Sequence, residues 1–327
     1  MVDREGEPVN QIFASVDLGG TKIACALSRS TGEILVEQQT PTNSHEGPAA
    51  VLNRIIALLC DLSSRAGAHP AALGIGVPGL VDTRRGVTKF LPNLPTQWRD
   101  VQVAKILSGA IGCPVFLLND VRMATLGEFT FGHGKSAETM IFVSIGTGIG
   151  GGVVVDRKLR LGPYGAAGEL GHQTIQLDGP LCGCGNHGCL EALASGPALV
   201  AEGVRLLQTG LAPVLYDIVS GNIAAITPKE MGVAARAGDS AVSDAIQRTG
   251  TFIGVGIANL VSALHPELVI LGGSVAALGD LLLNPVRAAV RDRVRMFPVD
   301  DVHIKRSLLE ERAGLLGGVA LARNLNE

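Results

Sequence analysis

Hydrophobic positions along this chain come in two rhythms that trade places repeatedly. Residues 12–16, 23–28 and 34–40 are short apolar runs, separated by Asp17-Leu18-Gly19-Gly20-Thr21-Lys22 and by Thr31-Gly32. Short runs bounded by turn residues read as strands, so the opening predicts an antiparallel meander. From 48 to 66, apolar residues at 51, 52, 55, 56, 58, 59 and 62 predict a helix with one buried face. Strands are then expected at 72–77, 80–82, 86–90 and 114–118, with a helix at 101–108 stopped by Gly109. A helix at 121–129 follows the last of these strands. A buried strand at 139–145 leads through a glycine-rich turn, 146–152, into another at 153–156. The strand–glycine turn–strand opening therefore occurs twice, and the chain holds two weakly similar halves.

In the remainder, 195–208 reads as a helix, and 212–226 shows no clear period. Thr227-Pro228-Lys229-Glu230 is a capping box with proline at the first helical position, predicting a helix to 237. A long helix runs from Asp239 or Ser240 to 264, its buried stripe marked by Ile246, Ile253, Ile257, Leu260, Val261 and Leu264. A core strand at 268–271, a mainly helical stretch at 278–296, a strand at 302–307 and a helix at 314–324 complete the pattern. Residues 1–10 read as a disordered arm. No low-complexity linker separates the halves.

Composition narrows the class. The chain has 327 residues, 46% of them hydrophobic and only 3% aromatic, so the core is built from aliphatic side chains. The 43 glycines point to many tight turns and close backbone approaches. A net charge of −3 gives no nucleic-acid footprint. The polar N-terminus is unlike a signal peptide, and no apolar run is long enough for a membrane span. Cys25, Cys60 and Cys113 sit in apolar surroundings and read as reduced core thiols. A cytoplasmic enzyme is expected.

Chemistry concentrates in ELGHQTIQLDGPLCGCGNHGCLE, residues 169–191. His172, Cys182, Cys184 and Cys189 supply four ligands of the kind that close a tetrahedral zinc site. Gly183, Gly185 and Gly188 suit a chain folding tightly round an ion, because glycine tolerates positive φ. Core thiols or a redox site are the alternatives. Four ready ligands favour a structural metal over a catalytic one, which needs an open position. Glu169 and Glu191 flank the knot and are candidates to grip a polyol.

Elsewhere, Asp17 with Gly19, Gly20, Thr21 and Lys22 forms an acidic glycine hairpin that can bring amides to phosphates and an oxygen to Mg²⁺; a plain tight turn is the bland alternative. Gly146, Thr147, Gly148 and Gly150 belong to the second such hairpin. No helix follows the glycines, so this is not a dinucleotide fingerprint. Asn93 offers a donor and an acceptor to sugar hydroxyls, or an Asx turn. Asp120 lies at a strand end and a helix start, where open α/β sheets place chemistry, or else is an N-cap. Gly272 and Gly273 let a nucleobase or ribose approach the backbone, or simply end a strand.

Taken together, DLGGTK at 17–22, GVPGLVD at 76–82, PNL at 92–94, LND at 118–120, GTGIGGG at 146–152, GELGH at 168–172, CGCGNHGCLE at 182–191 and LGG at 271–273 resemble, in order, the ROK family of sugar kinases and repressors. Within that family the resemblance is to the ATP-dependent glucokinases. It implies an α/β actin/hexokinase-like ATPase fold with a mixed five-stranded sheet in each of two domains, here 1–118 plus 308–327 and 119–307. It also implies a homodimer or homotetramer. By position, Asp120 resembles the catalytic base, and Gly79, Asn93, Asn119, Glu169, His172 and Glu191 resemble sugar contacts. The two glycine hairpins resemble phosphate loops, and His172 with the three cysteines resembles the zinc site.

The expected reaction is ATP-dependent phosphorylation of a hexose 6-hydroxyl, glucose first, with N-acetylmannosamine, mannose, fructose or allose as alternatives. A sugar-responsive repressor of the same family is the other class. It is disfavoured because only sixteen residues precede Asp17, too few for a helix-turn-helix module. A nucleic-acid zinc module is disfavoured because residues 173–189 contain no Lys or Arg.

Overall fold

The structure, a computed structural model, describes residues 11–324. The expected disordered arm at 1–10 lies outside the described residues. In chain order the elements are β1 (Ile12–Leu18), β2 (Lys22–Arg29), β3 (Ile34–Pro41), α1 (Pro48–Ala66), β4 (Leu73–Val77), β5 (Leu80–Asp82) and β6 (Val87–Phe90). Then come α2 (Val103–Ile111), β7 (Val115–Asn119), α3 (Asp120–Phe131), β8 (Met140–Ile145), β9 (Ile149–Val155) and β10 (Lys158–Leu159). After the cysteine stretch follow α4 (Leu190–Ala194), α5 (Gly196–Gln208), α6 (Pro213–Ile218), α7 (Pro228–Arg236) and α8 (Ser240–Leu264). The chain finishes with β11 (Leu268–Gly272), α9 (Asp280–Arg293), β12 (His303–Arg306) and α10 (Ala313–Asn324).

Two mixed five-stranded sheets result, in the orders β3–β2–β1–β4–β7 and β10–β9–β8–β11–β12. Each is built from an antiparallel hairpin, β1–β2 or β8–β9, whose first strand then pairs parallel with β4 or β11. A further parallel strand, β7 or β12, follows. The doubled strand–turn–strand pattern thus marks two sheets of the same topology. Each has its own aliphatic core. Val16, Ile23, Leu27, Ile55, Leu59, Leu73 and Ile75 pack in the first. Ile141, Val143, Ile257, Val261, Leu271 and Val286 pack in the second.

The chain divides into two compact units, residues 11–136, 159–167 and 308–324, and residues 137–158 and 168–307. The first therefore keeps α3, whereas the sequence places the break after 118. The reason is close packing of α3 on α10. A Cβ on Gly317 would lie 1.8 Å from the Met123 carbonyl oxygen, and one on Gly127 would lie 2.2 Å from that of Ala313. Side-chain-free faces let these two backbones touch. Glu128, fully buried, accepts a hydrogen bond from the Leu309 amide at 2.9 Å and closes the same joint.

Several local expectations shift. Helix α2 does not stop at Gly109 but runs on to Ile111, and the left-handed cap is Gly112 with φ 80°. The turn after β8 is shorter than expected, because Gly150, Gly151 and Gly152 are already paired in β9. The patternless stretch 212–226 contains α6 and a single 3₁₀ turn at Ile223–Ala225. Cys60 is exposed on α1, whereas Cys25 and Cys113 are buried as expected.

Two glycines separate the roles. Gly317→Ala forces α3 and α10 apart and should cost about 1–3 kcal/mol. At Gly109 a Cβ meets nothing within 4 Å, so Gly109→Ala should stabilise by about 0.5–1 kcal/mol. Urea unfolding of both variants measures the contrast; equal shifts would contradict it.

Candidate active site

In the first unit, Asp17 on β1 pairs with Gly76 on β4, and Gly76 pairs with Leu118 on β7. No side chain stands on β4 at that point. A Cβ on Gly76 would lie 3.1 Å from the Asp120 Cα. The gap brings Asp17 close enough for its charge to act on Asp120. Burial pushes Asp17 up to about 6. It pushes Asp120 up to about 7, with the Asp17 charge adding to the rise; the Val121 amide and the Arg122 charge oppose it. Two carboxyls crowded out of water resist double ionisation. On the far side of Asp17, Gly314 of α10 leaves room for the carboxylate: a Cβ there would lie 2.5 Å from Oδ2.

The sequence left Asp120 as either a reactive acid or an N-cap. The cap of α3 is Asn119, whose Oδ1 accepts from the amides of Val121 at 3.0 Å and Arg122 at 3.2 Å. Asp120 Oδ1 takes only the Val121 amide, at 2.9 Å. Asn119 Nδ2 donates to the Gly79 carbonyl at 3.2 Å. Gly79 adopts φ 143°, and a Cβ there would meet the Phe90 carbonyl at 2.3 Å, so only glycine fits. Asn93 is exposed, and its carbonyl lies 3.5 Å from where a Gly20 Cβ would be. In the β1–β2 turn, Gly19 N donates to Lys22 O at 2.9 Å, leaving Thr21 and Lys22 exposed. Lys22 Nζ reaches Glu311 at 3.5 Å, a solvent-exposed pair of little energetic weight.

Sequence reasoning missed Arg122. Its side chain is 2% exposed. Nη1 donates to Asn119 Oδ1 at 3.0 Å, Nε to the Ala167 carbonyl at 2.9 Å and Nη2 to the Ala166 carbonyl at 3.3 Å. The available signal was an arginine three residues after a strand-end asparagine, one helical turn from the cap.

In the second unit, His172, Cys182, Cys184 and Cys189 come together, with their ligand atoms all within 4.8 Å of one another. Cys182 Sγ lies 3.7 Å from His172 Nδ1, and the Cys184 and Cys189 sulfurs are 3.7 Å apart. A tetrahedron with metal–sulfur bonds of about 2.3 Å has edges of roughly 3.8 Å, so the donor set fits a closed four-ligand site. The other ring nitrogen of His172, Nε2, lies 3.9 Å from Glu169 Oε2. Of the expected positive-φ glycines, Gly185 (91°) and Gly188 (64°) comply and Gly183 does not. A Cβ on Gly188 would lie 1.6 Å from the Gln176 carbonyl oxygen, so its reason for being glycine is crowding as well as φ.

Glu191, in the first turn of α4, points its Oε2 at the Ile149 amide, 2.8 Å away. Its Oε1 lies 4.0 Å from Cys182 Sγ. This carboxylate therefore fastens the cysteine loop to the β8–β9 turn. A Cβ on Gly148 would sit 2.4 Å from Glu191 Oε2, so Gly148 makes room for an acid. In the same turn Gly146 N donates to Gly148 O at 2.9 Å, with Thr147 between them, exposed. Gly272 ends β11, and Gly273, with φ 84°, lets the chain pass where a Cβ would be 2.4 Å from the Ile145 carbonyl.

Among the described residues no helix is long and apolar enough to cross a membrane. Comparison with known proteins matches residues 13–325 to the ROK family. The glucokinase of Streptomyces coelicolor is 36% identical over 94% of this chain and 96% of its own length. The crystal structure of a ROK glucokinase from Streptomyces griseus, in complex with glucose and AMPPNP, superposes with a TM-score of 0.83. It is 34% identical and covers 96% of this chain and 99% of that one. A xylose repressor of Caldicellulosiruptor bescii is 33% identical over 94% of this chain but 76% of its own length. The two five-stranded sheets are those of the ROK hexokinase and glucokinase ATPase fold. On the family match over nearly its whole length and these identities, the chain belongs to the ROK family.

Proposed function

We propose that this chain transfers the γ-phosphoryl group of ATP to the 6-hydroxyl of a hexose, glucose in the first place, with Asp120 as the base. The observation that carries the assignment of Asp120 is its carboxyl, freed from capping by Asn119 and held at about 7 beside a second buried carboxyl. A general base works best when its pKa lies near the working pH. Asp120 accepts the hydroxyl proton and aligns the oxygen for in-line attack. Phosphoryl transfer is chiefly positioning and charge stabilisation. In the first unit Gly79, Asn93 and Asn119 are assigned as sugar contacts; in the second, Glu169, His172 and Glu191 are. In the first unit Asp17, Gly19, Gly20, Thr21 and Lys22 are assigned to the nucleotide; in the second, Gly146, Thr147, Gly148, Gly150, Gly272 and Gly273 are. Asp17 would offer an oxygen towards Mg²⁺, which with ATP would supply neutralisation of phosphate charge.

The metal of the His172–Cys182–Cys184–Cys189 cluster is structural Zn²⁺ in this reading. Nδ1, the nitrogen nearer Cys182, would hold it. That would fix the proton on Nε2, which faces Glu169, and leave it to donate to a sugar hydroxyl. Homodimer or homotetramer assembly and a cytoplasmic location belong to the same reading.

Coupled ADP release across a hexose panel tests the activity; no turnover with any hexose would end it. Asp120→Asn should lower kcat by about 10²-fold or more while leaving the fold intact, since an amide oxygen still accepts from Val121. In the free enzyme, kcat/KM should fall as pH drops through about 7. Stability follows the opposite sign. Because the folded Asp120 pKa lies above the unfolded one, its contribution is fully present at low pH and is lost as pH rises towards about 7. Asp120→Asn should therefore raise the melting temperature at pH 8 and change it little at pH 4. Removing the metal with a chelator should weaken hexose binding about tenfold or more by calorimetry, with zinc measured on the same sample. Unchanged affinity in metal-free, folded protein would contradict the His172 role.

A further inference from the structure

Arg122 plays no part in the mechanism just given, yet its burial demands a reason. Taking a guanidinium out of water is costly unless its donors are satisfied. Three of its donations are directed at two places. Nε and Nη2 hold the carbonyls of Ala167 and Ala166, on the segment that returns to the first unit more than forty residues later. Nη1 holds the side chain of Asn119. Asn119 Oδ1 thus accepts from two backbone amides and one guanidinium. Three donors converging on one atom exclude the flipped amide, and so aim Nδ2 at the Gly79 carbonyl.

The surroundings of Asp120 make the charge of Arg122 matter as well. Asp17 on β1 and Arg122 on α3 are the charged groups that act on Asp120. The position on β4 facing Asp120 is Gly76 and the one on α10 facing Asp17 is Gly314, and neither carries a titratable group. Cys25 on β2 is a buried thiol pushed up to about 12 and stays neutral. Two carboxyls and one guanidinium therefore share this water-poor space.

We propose that Arg122 is a positioning residue of the phosphoryl-transfer site: its guanidinium locks the Asn119 amide and supplies the fixed positive charge against which the Asp17–Asp120 pair is held. The proposal rests on Asp120 being the base. It assigns Arg122 two separable tasks. The hydrogen bond to Asn119 sets hexose affinity, through an amide aimed at the sugar loop. The charge sets the pH at which Asp120 becomes competent. A merely structural arginine, tying 166–167 to α3, would do neither.

The test compares Arg122→Met and Arg122→Lys in the full chain, with kcat/KM for hexose followed over about pH 5.5–9 at saturating ATP. Arg122→Met removes the charge and the fork. Its acid limb should move up by about one pH unit, and its hexose KM should rise about fivefold or more, with the ATP KM little changed. Arg122→Lys restores the charge but not the fork, since an ammonium is a point donor that cannot span Asn119 and two carbonyls. Its limb should return to the wild-type position while the hexose KM stays raised. Identical pH profiles for wild type and a folded Arg122→Met overturn the electrostatic task, and an unchanged hexose KM in Arg122→Lys overturns the amide lock. Should Arg122→Met fail to fold, Arg122→Lys carries the test: a wild-type limb with raised hexose KM supports the proposal, and a wild-type KM or a displaced limb overturns it. Asp120→Asn is assayed in parallel. Retained turnover there defeats the base assignment itself, whereas an inactive Asp120→Asn with an unmoved limb in Arg122→Met counts against Arg122 alone.

Discussion

Two carboxyls held in one poorly hydrated space set the terms for the first unit. Asp17 lies on β1 and Asp120 opens α3 just after β7, on either side of β4, and they share that space because residue 76 has no side chain to divide it. Like charges so placed raise each other's proton affinity, and burial adds to the effect. The arrangement opposes stability at neutral pH and is tolerable only because the rest of the unit is well packed. It is the kind of local disagreement with folding that functional sites show.

The surrounding structure can be understood as what makes that pair possible. Helix α10 approaches β1 and β4 so closely that Gly318 stands where a Cβ would be 2.7 Å from the Ser15 Cβ, and Gly74 where one would be 2.1 Å from the Gly318 carbonyl oxygen. Large side chains here would lift the helix and let water in. The second unit uses a different device for the same end. There the cysteine loop, with glycines at its bends, gathers four ligand atoms within 4.8 Å of one another and is fastened by Glu191 reaching the Ile149 amide. In one case backbone touches backbone; in the other a side-chain cluster replaces an aliphatic core that so short a loop could not build.

Legibility in the sequence followed the range of the forces involved. Helix α1 was readable to its ends because Pro48 starts it and Gly67, with φ 61°, caps it. The long helix α8 was readable because Asp239 caps it by accepting from the Val242 amide. The His–Cys cluster was readable because its four ligands are close in sequence. Gly109 misled because a glycine on an exposed helix face carries the same letter as a terminator, and the left-handed residue was three positions on. Gly150 to Gly152 looked like turn but are strand, since the register of β8 against β9 decides that and is not local. Arg122 was invisible for the same reason: its partners at 166 and 167 are brought to it by the fold.

The first unit is assembled from three separate stretches of chain, the last of which contains α10. A ribosome delivers residues from the amino end, so β1, β2 and β4 emerge long before the helix that covers them. Until α10 emerges, the face of that sheet bearing Ser15 and Gly74 lacks the helix it packs against. The second unit, by contrast, has all its residues out by Ser307. Synthesis therefore favours the later unit maturing first, with the earlier one waiting for its final twenty residues or so, an interval in which a chaperone or a premature stop would decide the fate of the nascent polypeptide.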